Sequence, residues 1–417
     1  MMATRALTRL TPAELDVGSP QQWLEYDGLL EKFARLRREG PLHWCPESVF
    51  GPFWSVVSHR LIQEVEGQPD IFSSSWEHGG ITIVDRAADE GEGEEHRMPM
   101  FIAMDRPQHT GQRRTVAPAF TPAEMERQRA DIRRRTEELL DSLPVGETFD
   151  WVDRVSIELT TGMLALLFDF PWEDRRLLTR WSDVATDFEA IQSPEGNQRR
   201  WEELYQMAAY FTRLWHEREA AGAAPDLISM MIHSDATKNM TPEEYLGNLV
   251  LLIVGGNDTT RNTMSGIAMV QQQYPESWAK LEADPSLVSN AASELIRWQT
   301  PLAHMRRTAL ADTVLDGQQI RAGDKVILWY LSANREEGLF PDADRFDPAR
   351  ENARRHLAFG FGIHRCVGAR LAELQLTVLL EEMLKRRMRV EVVGEPVRVY
   401  SSFVHGYRQI PVVLRRG

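Results

Sequence analysis

The sequence predicts a mainly α protein, a large helical body with a smaller β-rich portion and no parallel α/β sheet. Three observations carry that prediction. Thr121-Pro122-Ala123-Glu124 and Thr241-Pro242-Glu243-Glu244 are capping boxes with proline at the first helical position. Between them, tryptophans, leucines and charges recur at helical spacing from about Asp174 to Ala221. Strand signals are short and gather after Thr313.

Each element follows from local chemistry. The first box opens a helix that runs to about Leu143, and another covers about Trp151 to Leu167. After the second box no proline appears until Pro275. A helix of about 33 residues spans about 50 Å, enough to cross a whole domain. Its middle holds Gly255-Gly256, which costs about 1 kcal/mol per glycine relative to alanine. The pair therefore needs a packing or functional reason. Thr313 to Ile320 reads as a hairpin built on Asp316-Gly317, and Lys325 to Leu331 as a following strand. Arg389 to Val393 and Val397 to Leu414 also read as β. The acidic, glycine-rich stretch Arg86–His96 reads as an exposed loop, a candidate entrance loop.

Composition narrows the function classes. The 417 residues carry 48 Lys plus Arg against 62 Asp plus Glu, a net charge of −14. That balance argues against nucleic acid as the main partner, because phosphate binding needs a basic surface. Two cysteines, Cys45 and Cys366, exclude a disulfide framework and point to a reducing compartment. Met1 to Leu10 reads as neither a signal peptide nor a membrane anchor. The run Leu249–Val254 falls far short of the roughly 20 apolar residues that a membrane span needs. A cytoplasmic protein is expected.

The most informative stretch is Phe359-Gly360-Phe361-Gly362-Ile363-His364-Arg365-Cys366-Val367-Gly368. Its glycines let the backbone take positive φ and approach something flat. Cys366 precedes a helix expected over Val367 to Arg386, whose positive end favours a thiolate. A lone cysteine is most often an inert apolar side chain. A nucleophilic cysteine wants a base, and His364 two residues away in a glycine-rich loop is a weak one. A zinc site needs more ligands at short spacing. A single thiolate in such a loop suits one axial bond to a metal whose other ligands come from a macrocycle.

The loop resembles the haem-binding loop of the cytochromes P-450, the haem-thiolate monooxygenases, and the other family elements occur in order along nearly the whole chain. The resemblance implies one cytochrome P-450 domain over residues 1–417, with haem b between the long central helix and the cysteine loop. No fused reductase or ferredoxin is expected. Cys366 would be the metal ligand. Glu294, Arg297 and Arg350 resemble the family's structural triad. His109 and Arg113, one helical turn apart, match the haem-propionate binders together with Arg307 and His364, although Arg306 is an adjacent competitor for Arg307. Phe359 and Gly255 would contact the cofactor. Gly255-Gly256-Asn257-Asp258-Thr259-Thr260 resembles the oxygen-binding segment of the central helix, where the glycines let the helix open locally. Asp258 and Thr259 would then be the catalytic acid–alcohol pair that delivers the two protons O–O cleavage needs. Alone, Thr259 reads as a mid-helix hydroxyl bonded to the carbonyl four residues earlier.

The segments Ile253-Val-Gly-Gly-Asn-Asp-Thr-Thr-Arg-Asn-Thr-Met264, Pro301-Leu-Ala-His-Met-Arg-Arg-Thr-Ala309, Met100-Phe-Ile-Ala-Met-Asp105 and Phe403-Val-His-Gly-Tyr407 are most similar to the bacterial alkane and fatty-acid terminal hydroxylases. That implies an apolar channel, with Ile253, Leu302, Met305, Phe403, Val404 and the stretch Ile81 to Val84 as candidate lining. Terpene and steroid side-chain hydroxylases carry similar central-helix segments and are the alternative. A haem-thiolate sensor without turnover and a peroxide-driven peroxygenase are more distant ones. Electrons are expected from NAD(P)H through a ferredoxin reductase and a 2Fe-2S ferredoxin. The ferredoxin would dock on a basic patch of Arg113, Arg114, Arg365 and Arg370.

Overall fold

The computed structural model describes residues 10–85 and 98–416. The stretch Arg86–His96, read above as an entrance loop, lies outside the described residues.

Both capping boxes open helices. The Thr241 hydroxyl accepts the Glu244 N–H at 3.2 Å while Glu244 Oε2 accepts the Thr241 N–H at 3.1 Å, and the central helix Pro242–Gln273 follows. The Thr121 hydroxyl likewise accepts the Glu124 N–H at the head of Pro122–Ser142. The helix expected over Trp151–Leu167 begins with a wide π-type stretch, Val152–Ile157, and continues as Glu158–Phe168. The region Asp174–Ala221 holds two main helices, Arg176–Ala185 and Pro194–Ala221, the second capped by the Ser193 hydroxyl on the Gly196 N–H.

The central helix runs through the middle of this body. It packs on Glu158–Phe168 and Arg176–Ala185, and also on Val288–Gln299. Gly256 supplies the close approach: a Cβ there would sit 2.6 Å from Leu164 Cδ2. The local opening expected at the glycine pair is absent, since the helix is continuous through it. Packing on Leu164 holds Gly256 in line, and the Thr259 hydroxyl bonds the Gly255 carbonyl at 2.8 Å.

A five-stranded sheet stands beside the helices in the order Leu42–Cys45, Phe53–Val56, Lys325–Trp329, His304–Ala309, Phe72–Ser73. Phe53–Val56 runs parallel to Lys325–Trp329 and the other pairs are antiparallel. The strands before Thr313 were not legible in the sequence, because two to six residues give too few alternations to set a period. The strand expected to reach Leu331 stops at Trp329, where the chain turns into the short helix Tyr330–Ala333. The hairpin is as expected: Thr313–Leu315 pairs with Gln318–Ile320, and Asp316 and Gly317 take φ of 47° and 77°, a primed turn. The C-terminal stretch is less continuous than expected. Val397–Arg398 and Tyr407–Gln409 pair around a loop, and Pro411–Arg416 joins Met388–Val392 and Thr148–Asp150. That loop docks on the chain near the sheet: the Ala303 N–H donates to the Phe403 carbonyl and the His405 N–H to the Pro301 carbonyl, both at 2.8 Å.

The Glu294–Arg297–Arg350 arrangement is a buried network. Glu294 takes two N–H groups of Arg297, at 2.7 and 2.8 Å, and the Arg350 Nε–H at 2.9 Å. Arg297 also donates to the Asn334 carbonyl, and the Asn334 side chain accepts the Leu357 N–H at the entry to the cysteine loop.

Candidate active site

The cysteine loop is folded by its glycines and by one bond across its base. Gly360 and Gly362 take φ of 67° and 66°. A Cβ at Gly362 would collide with the Glu66 carbonyl, so the position is closed to larger residues. The Cys366 N–H donates to the Phe359 carbonyl at 2.8 Å. The helix expected from Val367 begins at Ala369, so Val367 and Gly368 complete the loop. Burial pushes the Cys366 thiol up, while the Gly368 N–H on the sulfur and the Arg113 and Arg365 guanidinium groups pull it down. Among the described residues no group of three or more His, Cys, Asp or Glu is placed to hold a metal ion. Cys366 thus stands as a single sulfur.

That sulfur opens on a large cavity. Phe359, Gly360, His364 and Cys366 line one side, and Val254, Gly255, Asp258 and Thr259 of the central helix line the other. A Cβ at Gly255 would meet nothing within 4 Å, so here the helix presents bare backbone to open space. Leu302, Met305, Phe403 and Val404 line the cavity as expected, with Ile81 and Val84. Ile253 does not. It is 1% exposed within the core beside the central helix, and Leu251 and Val254 line the cavity instead. At 100° per residue, the face bearing Leu251, Val254, Gly255 and Asp258 excludes position 253.

The expected carboxylate binders converge at the edge of this cavity. The rings of His109 and His364 lie 4.2 Å apart, centroid to centroid, and all four of their buried ring nitrogens lack a hydrogen-bond partner. Burial, then the neighbouring guanidinium groups, brings His109 down to about 4; His364 is lowered further by burial and Arg307. Buried polar atoms left unpaired in this way call for an acceptor that belongs to the site. Arg113 donates to the Arg365 carbonyl at 2.5 Å and also lines the cavity. Strand alternation settles which arginine of Arg306-Arg307 faces in. Arg306 reaches Asp85 at 2.6 Å and the His78 carbonyl, while Arg307 lines the cavity and bonds Glu66 at 2.8 Å. Glu66 escaped the sequence reading; an acid at the end of the amphipathic helix His59–Glu66 looks like any solvated helix terminus.

Asp258 is fully buried. Its Oδ1 accepts from Ser182 at 2.9 Å and pairs with Arg261 at 2.9 Å, and its Oδ2 accepts from Thr186 at 3.1 Å. Arg261 continues to Asp183 at 2.7 Å, whose side chain is 53% exposed. The result is a polar path from solvent to the cavity face of the central helix. Its members on Arg176–Ala185 and beyond, Ser182, Asp183 and Thr186, carry no signal in the sequence, because helix–helix contact alone brings them to Asp258. Thr259 spends its hydroxyl on the Gly255 carbonyl, as a mid-helix threonine is expected to, and also lines the cavity.

Comparison with known proteins agrees with this geometry. The family model described as Cytochrome P450 matches residues 197–398. Linalool 8-monooxygenase of Pseudomonas putida is 38% identical over 388 residues, 92% of this chain and 94% of its own length. Methyl-branched lipid omega-hydroxylase of Mycobacterium bovis is 31% identical over 96% of this chain and 94% of its own. The solved structure of Cytochrome P450-153 from Novosphingobium aromaticivorans superposes with a TM-score of 0.92 at 57% identity, covering 97% of this chain and 100% of that one. A cysteine loop and the middle of a long central helix lining one cavity, in a chain with such relatives, are those of a haem-dependent monooxygenase: this chain belongs to the cytochrome P450 family.

Proposed function

We propose that this chain inserts one oxygen atom of O2 into the terminal C–H bond of a medium-chain alkane or fatty acid, giving a primary alcohol. The observation that carries the reading is the apolar cavity between the Cys366 loop and the central helix, walled by Val254, Leu302, Met305, Phe403 and Val404. The similarity to an omega-hydroxylase of branched lipids supports it.

The residues present fit a haem. Cys366 would ligate the iron through its thiolate, the bare backbone at Gly255 would leave the cavity open for the group, and His109, Arg113, Arg307 and His364 would hold its propionates. Bound haem supplies the chemistry: RH, O2, two electrons and two protons give ROH and water. The chain's own part is positioning and proton delivery. Arg261 bridges Asp258 to the solvent-facing Asp183; when the Arg261–Asp258 pair opens, the freed Asp258 carboxylate takes a proton from entering water and passes it on through the Thr259 hydroxyl, which turns from the Gly255 carbonyl to the cavity. A methyl C–H is harder to break than a neighbouring methylene, so selection must be steric, with the apolar walls admitting the chain end alone.

Electrons would come from NAD(P)H through a ferredoxin reductase and a ferredoxin. Arg114, Arg365 and Arg370 are exposed around the loop, beside Phe361, which is 40% exposed. Arg113 is half-buried and held by the Arg365 carbonyl, so it belongs to the cavity and not to this patch. Cys45 and Cys366 are both free thiols, which agrees with a cytoplasmic setting, and no helix among the described residues is long and apolar enough to cross a membrane. The test is turnover of straight-chain alkanes, fatty acids of varied length and linalool, with product analysis. Primary alcohols from the straight chains are expected. Internal alcohols, or turnover of linalool alone, would point to the terpene alternative, and absence of any product from any substrate to a sensor.

A further inference from the structure

One buried charge at the site has no part in the mechanism above. Glu66 ends the helix His59–Glu66, is 4% exposed, and lines the cavity beside Arg307, Tyr330, Gly360 and His364. It places a carboxylate where the surrounding cations are expected to receive two others. Its contacts are complete. Oε1 accepts from Arg307 Nη2 at 2.8 Å and from the Tyr330 hydroxyl at 2.7 Å, and Oε2 accepts the Phe361 N–H at 2.8 Å. Burial raises the Glu66 carboxyl above the usual range, while three donors, Arg307 first among them, pull it back. The three come from different places: the strand His304–Ala309, the start of Tyr330–Ala333, and the cysteine loop. Glu66 therefore ties the propionate-side arginine to the loop that bears Cys366.

We propose that Glu66 is a positioning residue that holds Arg307 and the cysteine loop in register and, as a negative charge shared with Arg307, disfavours reduction of the iron. The proposal rests on the haem reading. A unit charge at the rim of a poorly solvated cavity disfavours adding an electron to the metal, because reduction increases the negative charge of the site. A merely structural Glu66 would affect stability and leave the reduction equilibrium alone.

The test is spectroelectrochemistry of the haem-loaded protein, reading the ferrous-to-ferric ratio at a fixed applied potential and at a pH well above the carboxylate range. Glu66→Gln keeps the shape and removes the charge, and should raise that ratio on the order of tenfold. Tyr330→Phe removes a donor from the carboxylate, leaves its charge less compensated, and should lower the ratio. In the double variant the Tyr330→Phe effect should vanish, since nothing remains for the hydroxyl to offset. Unchanged ratios in both single variants, with the thiolate-type carbon monoxide band intact, would overturn the proposal. Should Glu66→Gln fail to take up haem, Tyr330→Phe alone decides: a lowered ratio supports the assignment and an unchanged one overturns it. Failure of the wild-type chain to bind haem at all would instead sink the reading on which the assignment rests.

Discussion

Thr259 bonds its own helix and lines the cavity, so the proposed relay would ask one side chain to serve structure and chemistry together. Its bond to the Gly255 carbonyl is a single intrahelical hydrogen bond, worth about 0.5–1.5 kcal/mol. Thr259→Ala should therefore leave the fold and the thiolate spectrum intact. If Thr259 carries the proposed relay, NADH should still be consumed while product per NADH falls several-fold and hydrogen peroxide appears in its place. Unchanged coupling would remove Thr259 from the proton path. Glu294 is the opposite case, a residue whose whole role is support. It bonds two guanidinium groups that are themselves buried, Arg297 fully so. Glu294→Gln leaves both cations under-compensated, and such losses cost about 3–5 kcal/mol. Denaturant unfolding of the haem-loaded protein should show a loss of that size, with Arg297→Lys giving a smaller one in the same direction.

At the scale of elements, the two adjacent glycines of the central helix have separate duties. Gly256 faces Leu164 at a distance no Cβ tolerates, whereas Gly255 faces the open cavity. Gly256→Val should destabilise the protein by about 1–3 kcal/mol through overpacking. Gly255→Val should fold and instead narrow the cavity, seen as weaker binding of long-chain substrates in a spectral titration. The sequence could flag the pair but not divide the work, because the division depends on which helix lies against which face. The same limit explains the other gaps. Capping boxes, the Asp316-Gly317 turn and the cysteine loop are local chemistry and were legible. Ile253 was misassigned because an apolar residue in an apolar helix carries no mark of which face it occupies. Glu66, Ser182, Asp183 and Thr186 were missed because their partners lie on other elements, and Arg307 could be separated from Arg306 only once the strand's pairing was known.

The whole molecule carries a net charge of −14 yet keeps arginines exposed around the cysteine loop, and that contrast is what an acidic electron donor would find. Arg370→Glu should raise the ferredoxin concentration needed for half-maximal turnover several-fold at low salt, with the effect fading as ionic strength rises. No change would place the docking face elsewhere. Acid should act on the entire fold as well. His304, His356 and His405 are buried neutral, with burial bringing them down to about 4, 3 and 3. An unfolded histidine takes its proton near pH 6.5. Between pH 6.5 and about 4 the unfolded chain therefore binds more protons than the folded one, and stability falls as the pH falls. The melting temperature should already drop between pH 7 and pH 5; a flat profile there would contradict the buried neutral state. All of this is built around the placement of Cys366, and the most direct measurement is the absorption spectrum of the reduced, haem-loaded protein under carbon monoxide. Wild-type protein should show the thiolate-type band, and Cys366→His should bind haem without it. A wild-type spectrum lacking that band, or a Cys366→His spectrum that keeps it, would contradict the account.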